Sequence, residues 1–189
     1  MDDKAVLHHY LRRVREALVW KLDGLSERDL RLPRTPTGTN LLGLAKHVAV
    51  IQAGYFGSVF GRPSPDEAVD DDDDPNADLY AAASETPDDI RALYARCAAH
   101  ADATIEALGL DAVGEVPWWP QERRRPTLAT VLVHVIAEVG RHAGQADILR
   151  EGIDGAAGMQ PGTRNLPEDG FDWPGYVARL TAIADAAGS

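Results

Sequence analysis

The chain has 189 residues, with 30 acidic and 19 basic side chains for a net charge of −11, and 44% of it is apolar. That length suits a single domain over residues 1–189 with one core. The charge excludes general binding to nucleic acid, whose phosphates it would repel, and the one basic cluster, Arg123-Arg124-Arg125, is too short to reverse this. No apolar run approaches the roughly 18–20 residues that span a bilayer. The opening residues, MDDKAVLHHYLRR, lack the apolar stretch of a secretory signal. A cytoplasmic protein with no membrane partner is therefore expected.

In chain order, four long segments carry the period of amphipathic helices. The first runs from about Lys4 to Asp23, with Val6, Tyr10, Val14, Leu18 and Leu22 recurring and Gly24 ending it. SERDL then leads into a Pro-rich connector, RLPRTPTGTN. The second helix runs from about Asn40 to Phe60, with Thr39 as expected N-cap and Gly61 and Pro63 closing it. Residues 61–86 read as an acidic connector. Its five aspartates, Asp70 to Asp74, are expected to form a solvated, mobile loop, because calcium loops space their ligands around a glycine turn and this run does not. The third helix begins at Pro87, with Thr86 as cap and Asp88-Asp89 suiting the positive end of the helix dipole, and reaches about Leu108. After GEVPWWPQERRRP, the fourth helix runs from beyond Pro126 to about Glu151, with Gly152 as its stop. Residues 152–172 are irregular, and a short helix from about Trp173 to Ala186 ends the chain. No strand pattern or internal repeat is present. The expected class is all-α, a four-helix bundle with a non-trivial crossover and a short C-terminal helix.

The fourth helix carries polar residues where a core should be. In heptads, one position holds Leu128, Val135, His142 and Leu149, a second Val131, Glu138 and Gln145, and a third Leu132, Val139 and Ala146. Glu138 and His142 thus lie inside an apolar stripe, where a carboxylate is costly unless paired or bound to a metal. Four residues apart, they sit about 40° from one another around the axis, one turn apart, so both reach a single ion. Taken alone, a buried carboxylate–histidine hydrogen bond explains the pair equally well. His47 on the second helix changes the balance, because its face (Gly43, Leu44, Val50, Ile51) is also uncharged. Gly43 and Gly54 would let another backbone or a ligand come close. Two imidazoles and one carboxylate leave open positions on a metal: zinc is favoured, and iron, manganese or nickel would also fit. His134, on the flank of the stripe, is expected to support the ligands or pack, with ligation an outside option. His8, His9 and His100 have no such setting and are expected to be solvated or incidental. The single cysteine, Cys97, permits no intrachain disulfide and is expected to be buried filler.

Two of these stretches are similar to a known family. LLGLAKHVAVIQAGYF resembles the second helix of the DinB-like metalloprotein superfamily, and LATVLVHVIAEVGRHAGQADILREGIDG its metal-binding helix. The branch most resembled is the actinobacterial-type group near mycothiol-dependent maleylpyruvate isomerase, over roughly residues 4–155. Many members show three histidines, the last two spaced by four. Here the first of that pair is Glu138, so the resemblance implies a His47, Glu138, His142 set as in the isomerase branch. It also implies an up-down-down-up bundle, a possible homodimer, and thiol chemistry in which a low-molecular-weight thiol on the metal attacks an electrophilic substrate. The first functional expectation is therefore a metal-dependent, mycothiol-type S-transferase or isomerase-like enzyme. A metal-dependent hydrolase and a non-catalytic metal-binding stress protein are the alternatives. Trp20, Tyr55, Trp118 and Trp119 are candidates for pocket walls, although such aromatics are more often core. Arg141 and Arg123 to Arg125 are candidates for substrate carboxylates, although solvent exposure is the commoner role.

Overall fold

The computed structural model describes residues 2–67, 74–163, 166–167 and 170–188. Among these, regular structure is helical: α1 (Asp3–Val19), α2 (Glu27–Arg31), α3 (Leu41–Phe56), α4 (Pro87–Ala107), α5 (Leu128–Asp154) and α6 (Trp173–Ala187), with isolated β-bridges but no named strand. The all-α expectation is met. α1 lies along α5 and α3 along α4, α3 against α5 joins the two pairs, and α1 meets α4 only slightly. The core between them is aliphatic, with Leu11, Leu18, Leu42, Ile90, Ile105 and Leu128 no more than 1% exposed. Each such side chain contributes roughly 1.5–3 kcal/mol through removal from water.

Helix ends follow local hydrogen-bonding chemistry. Thr86 and Asp89 form a reciprocal capping box ahead of Pro87, as expected. The cap of α3 is Asn40 rather than Thr39. Its Oδ1 accepts from Gly43 N at 2.7 Å while its amide nitrogen holds Gly38 O, a combination that a threonine hydroxyl cannot supply. SERDL is not connector but α2, because Ser26 Oγ accepts from Asp29 N at 3.1 Å. The first helix tightens into a 3-10 turn at Trp20–Leu22, and α3 ends at Phe56 before another at Ser58–Phe60. Gly152 does not stop α5, which continues to Asp154 and ends at Gly155 with φ +76°. An interior glycine costs only about 1 kcal/mol. The Arg150 guanidinium spans this point, binding Asp154 at 2.7 Å and the carbonyls of Lys21 and Asp23.

Two sequence readings resolve differently. Cys97 is fully buried filler, and burial pushes its thiol up to about 12. His8 is not solvated: it is 9% exposed, with Nε2 2.8 Å from Asp102 Oδ1 on α4. The solvated-loop reading of Asp70–Asp73 lies outside the described residues. Asp74 accepts from the Asn76 backbone and the Tyr80 hydroxyl. α6 is exposed along almost its whole length.

Candidate metal centre

The contact of α3 with α5 brings three separated residues together. One ligand atom each from His47, Glu138 and His142 lies within 4.8 Å of the others. The imidazoles of His47 and His142 meet edge to face, with centroids 4.8 Å apart, and His142 Nε2 is 3.0 Å from Glu138 Oε1. These positions do not lie in the buried stripe of α5, which passes through Val131, Leu132, Val135, Val139, Ala143 and Ala146. A straight helix drifts about 20° per heptad. Glu138 and His142 therefore turn onto the flank, and the Glu138 side chain keeps 34% of its exposure. The cost of burying a carboxylate is correspondingly smaller than the heptad reading implied.

What distinguishes the cluster is how its histidines are held. His47 Nδ1 lies 2.6 Å from Asp78 Oδ2, and His142 Nδ1 lies 2.8 Å from Gln145 Oε1. The Asp78 carboxylate only accepts, so His47 Nδ1 donates to it and His47 Nε2 is left as the ligand nitrogen. His142 has an acceptor oxygen beside each ring nitrogen, Gln145 behind and Glu138 in front, so its Nε2 can ligate an ion only in place of the Glu138 contact. Two imidazole nitrogens and one carboxylate oxygen converge. That donor set fits a divalent cation.

Asp78 was invisible in the sequence, where it sits in the connector 31 residues from His47. The one available signal was Gly43. A Cβ there would stand 1.9 Å from Leu79 O, so only glycine lets the segment carrying Asp78 lie on α3 one turn before His47. Gly54 plays the lesser part: the Trp118 ring passes over it at ordinary contact distance, 3.8 Å from where a Cβ would stand.

Two cavities flank the cluster. One of about 510 Å³ is walled by His47 and Glu138 and extends to Tyr55, Trp118 and His134. The other, about 350 Å³, is walled by His142 and Gln145 with Thr37, Thr39, Asn40 and Asn76. The mycothiol S-transferase family model matches residues 6–155. The chain belongs to that family. No curated protein matches it. The DinB-like resemblance carried by the two helical motifs is borne out, and the matched span runs from α1 to the end of α5, leaving α6 outside.

The weaker sequence candidates divide. Tyr55 and Trp118 do line the larger cavity, where the backbone pairing of Glu115 with Val59 and of Val116 with Arg124 brings the Trp-Trp loop onto α3. His134 lies on the same wall, its ring 5.0 Å from both Tyr55 and Trp119, and stands outside the three-residue cluster. Trp20 is not at this site. Its indole donates to Met159 O at 2.9 Å, and it walls a cavity between α1 and α4. Arg141 is exposed and borders a shallow hollow with Gly144 and Ile148, because it points about 100° away from His142. Arg123 to Arg125 line neither cavity; Arg124 instead holds Pro117 O at 2.8 Å.

Proposed function

We propose that this chain is a metal-dependent S-transferase that joins a low-molecular-weight thiol of the mycothiol type to an electrophile, with the divalent ion held by His47, Glu138 and His142. The supporting observation is the convergence of His47, Glu138 and His142 on one point, with the two imidazoles backed at Nδ1 by Asp78 and Gln145. A divalent ion in such a site supplies the positive charge that lets a coordinated thiol ionise at neutral pH. The nucleophilic sulfur must come from a cosubstrate, since Cys97 is sealed in the core with its thiol pushed up to about 12. The two cavities give the two reactants separate approaches. The smaller one, with Thr37, Thr39, Asn40, Asn76 and Gln145 among its walls, offers hydrogen-bonding groups to the thiol, and the one walled by Tyr55 and Trp118 suits the electrophile. Zinc is the favoured ion, and nickel, iron and manganese meet the same donors. The same reading places the protein in the cytoplasm as a single domain, in a compartment that keeps thiols reduced, and expects a homodimer.

The test pairs elemental analysis with a conjugation screen. Metal-loaded protein is mixed with a panel of thiols and a chlorinated aromatic, and thiol consumption is followed. Conjugation that depends on the metal and disappears in His47→Ala, Glu138→Ala and His142→Ala is expected. Inert thiols with turnover of esters or amides would instead show a hydrolase, and a metal-loaded protein with neither activity would show a binding protein.

A further inference from the structure

The larger cavity has a chemical character of its own, and its consequences rest on the transferase reading. Among the described residues three carboxylates wall it, and all three are engaged. Glu67 accepts from the Ser58 and Ser64 backbones at 2.9 and 2.7 Å, Asp78 holds His47, and Glu138 faces His142. No Lys or Arg is among its described wall residues. Away from the ion itself, a charged substrate group would find no counter-ion among the described wall residues and would lose its hydration on entry. The remaining surface is aromatic: Tyr55, Trp118 and His134, with Trp119 packed behind.

Within that surface one donor is spare. The Tyr55 oxygen accepts from Trp118 Nε1 at 3.2 Å and from Trp119 Nε1 at 3.0 Å. An indole N–H only donates, so the two tryptophans fill the acceptor positions of the phenol and cannot take its hydrogen. Tyr55 is 8% exposed and lines the cavity, and its hydroxyl makes no other hydrogen bond among the described residues. The hydroxyl hydrogen is thus fixed in role by the indoles. It is a donor offered to whatever flat molecule lies against the ring of Trp118.

We infer that this cavity binds an uncharged, planar electrophile bearing one acceptor oxygen, such as an aryl ketone, enone or quinone, and that the Tyr55 hydroxyl positions it by donating to that oxygen.

Binding without thiol tests this separately from turnover. Three probes of one outline are titrated against the metal-loaded protein by indole fluorescence: acetylnaphthalene, the isosteric hydrocarbon isopropenylnaphthalene, and naphthalenesulfonate, a weak metal ligand. The wild type is expected to favour the ketone over the hydrocarbon by about fivefold, the value of one neutral hydrogen bond. The sulfonate is expected to bind about tenfold more weakly than the ketone. Tyr55→Phe should abolish the ketone preference while binding the hydrocarbon as before, a selective change that general loosening of the Trp loop does not produce. Equal wild-type affinities for ketone and hydrocarbon overturn the inference even if Tyr55→Phe fails to fold. So does a preference that persists in Tyr55→Phe, or tightest binding of the sulfonate. A preference that behaves as expected in a protein that conjugates no thiol supports the subsite and overturns the transferase reading alone.

Discussion

The bundle holds two polar clusters that both pair histidine with carboxylate. Between α1 and α4, His8, Arg12 and Arg15 surround Asp102, at 2.8, 3.3 and 2.5 Å, and Arg15 also binds Gln52 of α3. Between α3 and α5, His47 and His142 surround Glu138, with Asp78 and Gln145 behind them. Each contains histidine and carboxylate. In the first, the Arg12 and Arg15 guanidinium groups fill the space beside the carboxylate, with Arg15 Nη2 buried and making no hydrogen bond among the described residues. In the second, Asp78 and Gln145 stand behind the imidazoles, and one ligand-type atom of each of the three residues faces the others with no guanidinium between them. Histidine and carboxylate are common to both; the two arginines of the first, and the acceptors that stand behind the imidazoles of the second, set them apart.

The largest expected effect that would break this comparison is on the metal. His47→Ala, Glu138→Ala and His142→Ala should each weaken binding of a divalent ion by more than about 100-fold, beyond the range that supporting contacts give. Elemental analysis after dialysis reads this out, and full retention by Glu138→Ala would falsify the ligand set. Next comes Asp102→Asn, which should bind metal normally yet lose about 3 kcal/mol of stability in denaturant unfolding, because Arg15, 5% exposed, is left buried without its counter-charge. The same group sets an acid limit. Burial pushes the Asp102 carboxyl up, but the His8 hydrogen bond and the Arg15 charge outweigh it and hold it below the usual carboxylate range. Its stabilisation is therefore complete above about pH 4 and is lost as pH falls through the lowered folded value. Asp102→Asn should flatten that part of the acid-stability curve, and an unchanged slope would locate the acid sensitivity elsewhere.

Smaller effects sharpen the second cluster. Asp78→Asn should reduce metal affinity by about 10–100-fold with little change in stability, since it removes the anionic acceptor behind His47 but none of the three ligands. A competition titration with a chelator measures this, and wild-type affinity in the variant would show that the 2.6 Å contact does not orient the ring. Gly43→Ala should cost about tenfold in the same assay, because its Cβ must displace the backbone at Leu79 and carry Asp78 with it. If Gly43→Ala binds as tightly as wild type, the position of that segment is not what tunes the site.

Much of this was legible because it depends on local order. The four long helices, the Thr86 cap and the pairing of Glu138 with His142 all follow from spacing along one helix, where geometry is fixed by the 3.6-residue turn. The interruptions were harder. Gly152 reads as a stop until Arg150 is seen to clasp both Asp154 and the end of α1. Trp20 and Arg141 carry suitable side chains but sit on faces that the packing turns away from the cluster. His8 looked incidental because its partner lies 94 residues away.

The sequence by itself determined an all-helical chain, its membership of a thiol-transferase family, and three residues able to ligate a metal, because periodicity and short motifs survive without knowledge of the partners. Only the tertiary structure decided what stands behind those residues. That Asp78 and Gln145 turn the imidazoles outward, that Glu138 sits on the rim rather than in the core, and that two tryptophans commit the Tyr55 oxygen all depend on contacts between segments far apart in the chain. Hydrogen bonds are short-ranged and directional, so their pattern is fixed by how helices and loops pack and leaves almost no trace in the spacing of residues.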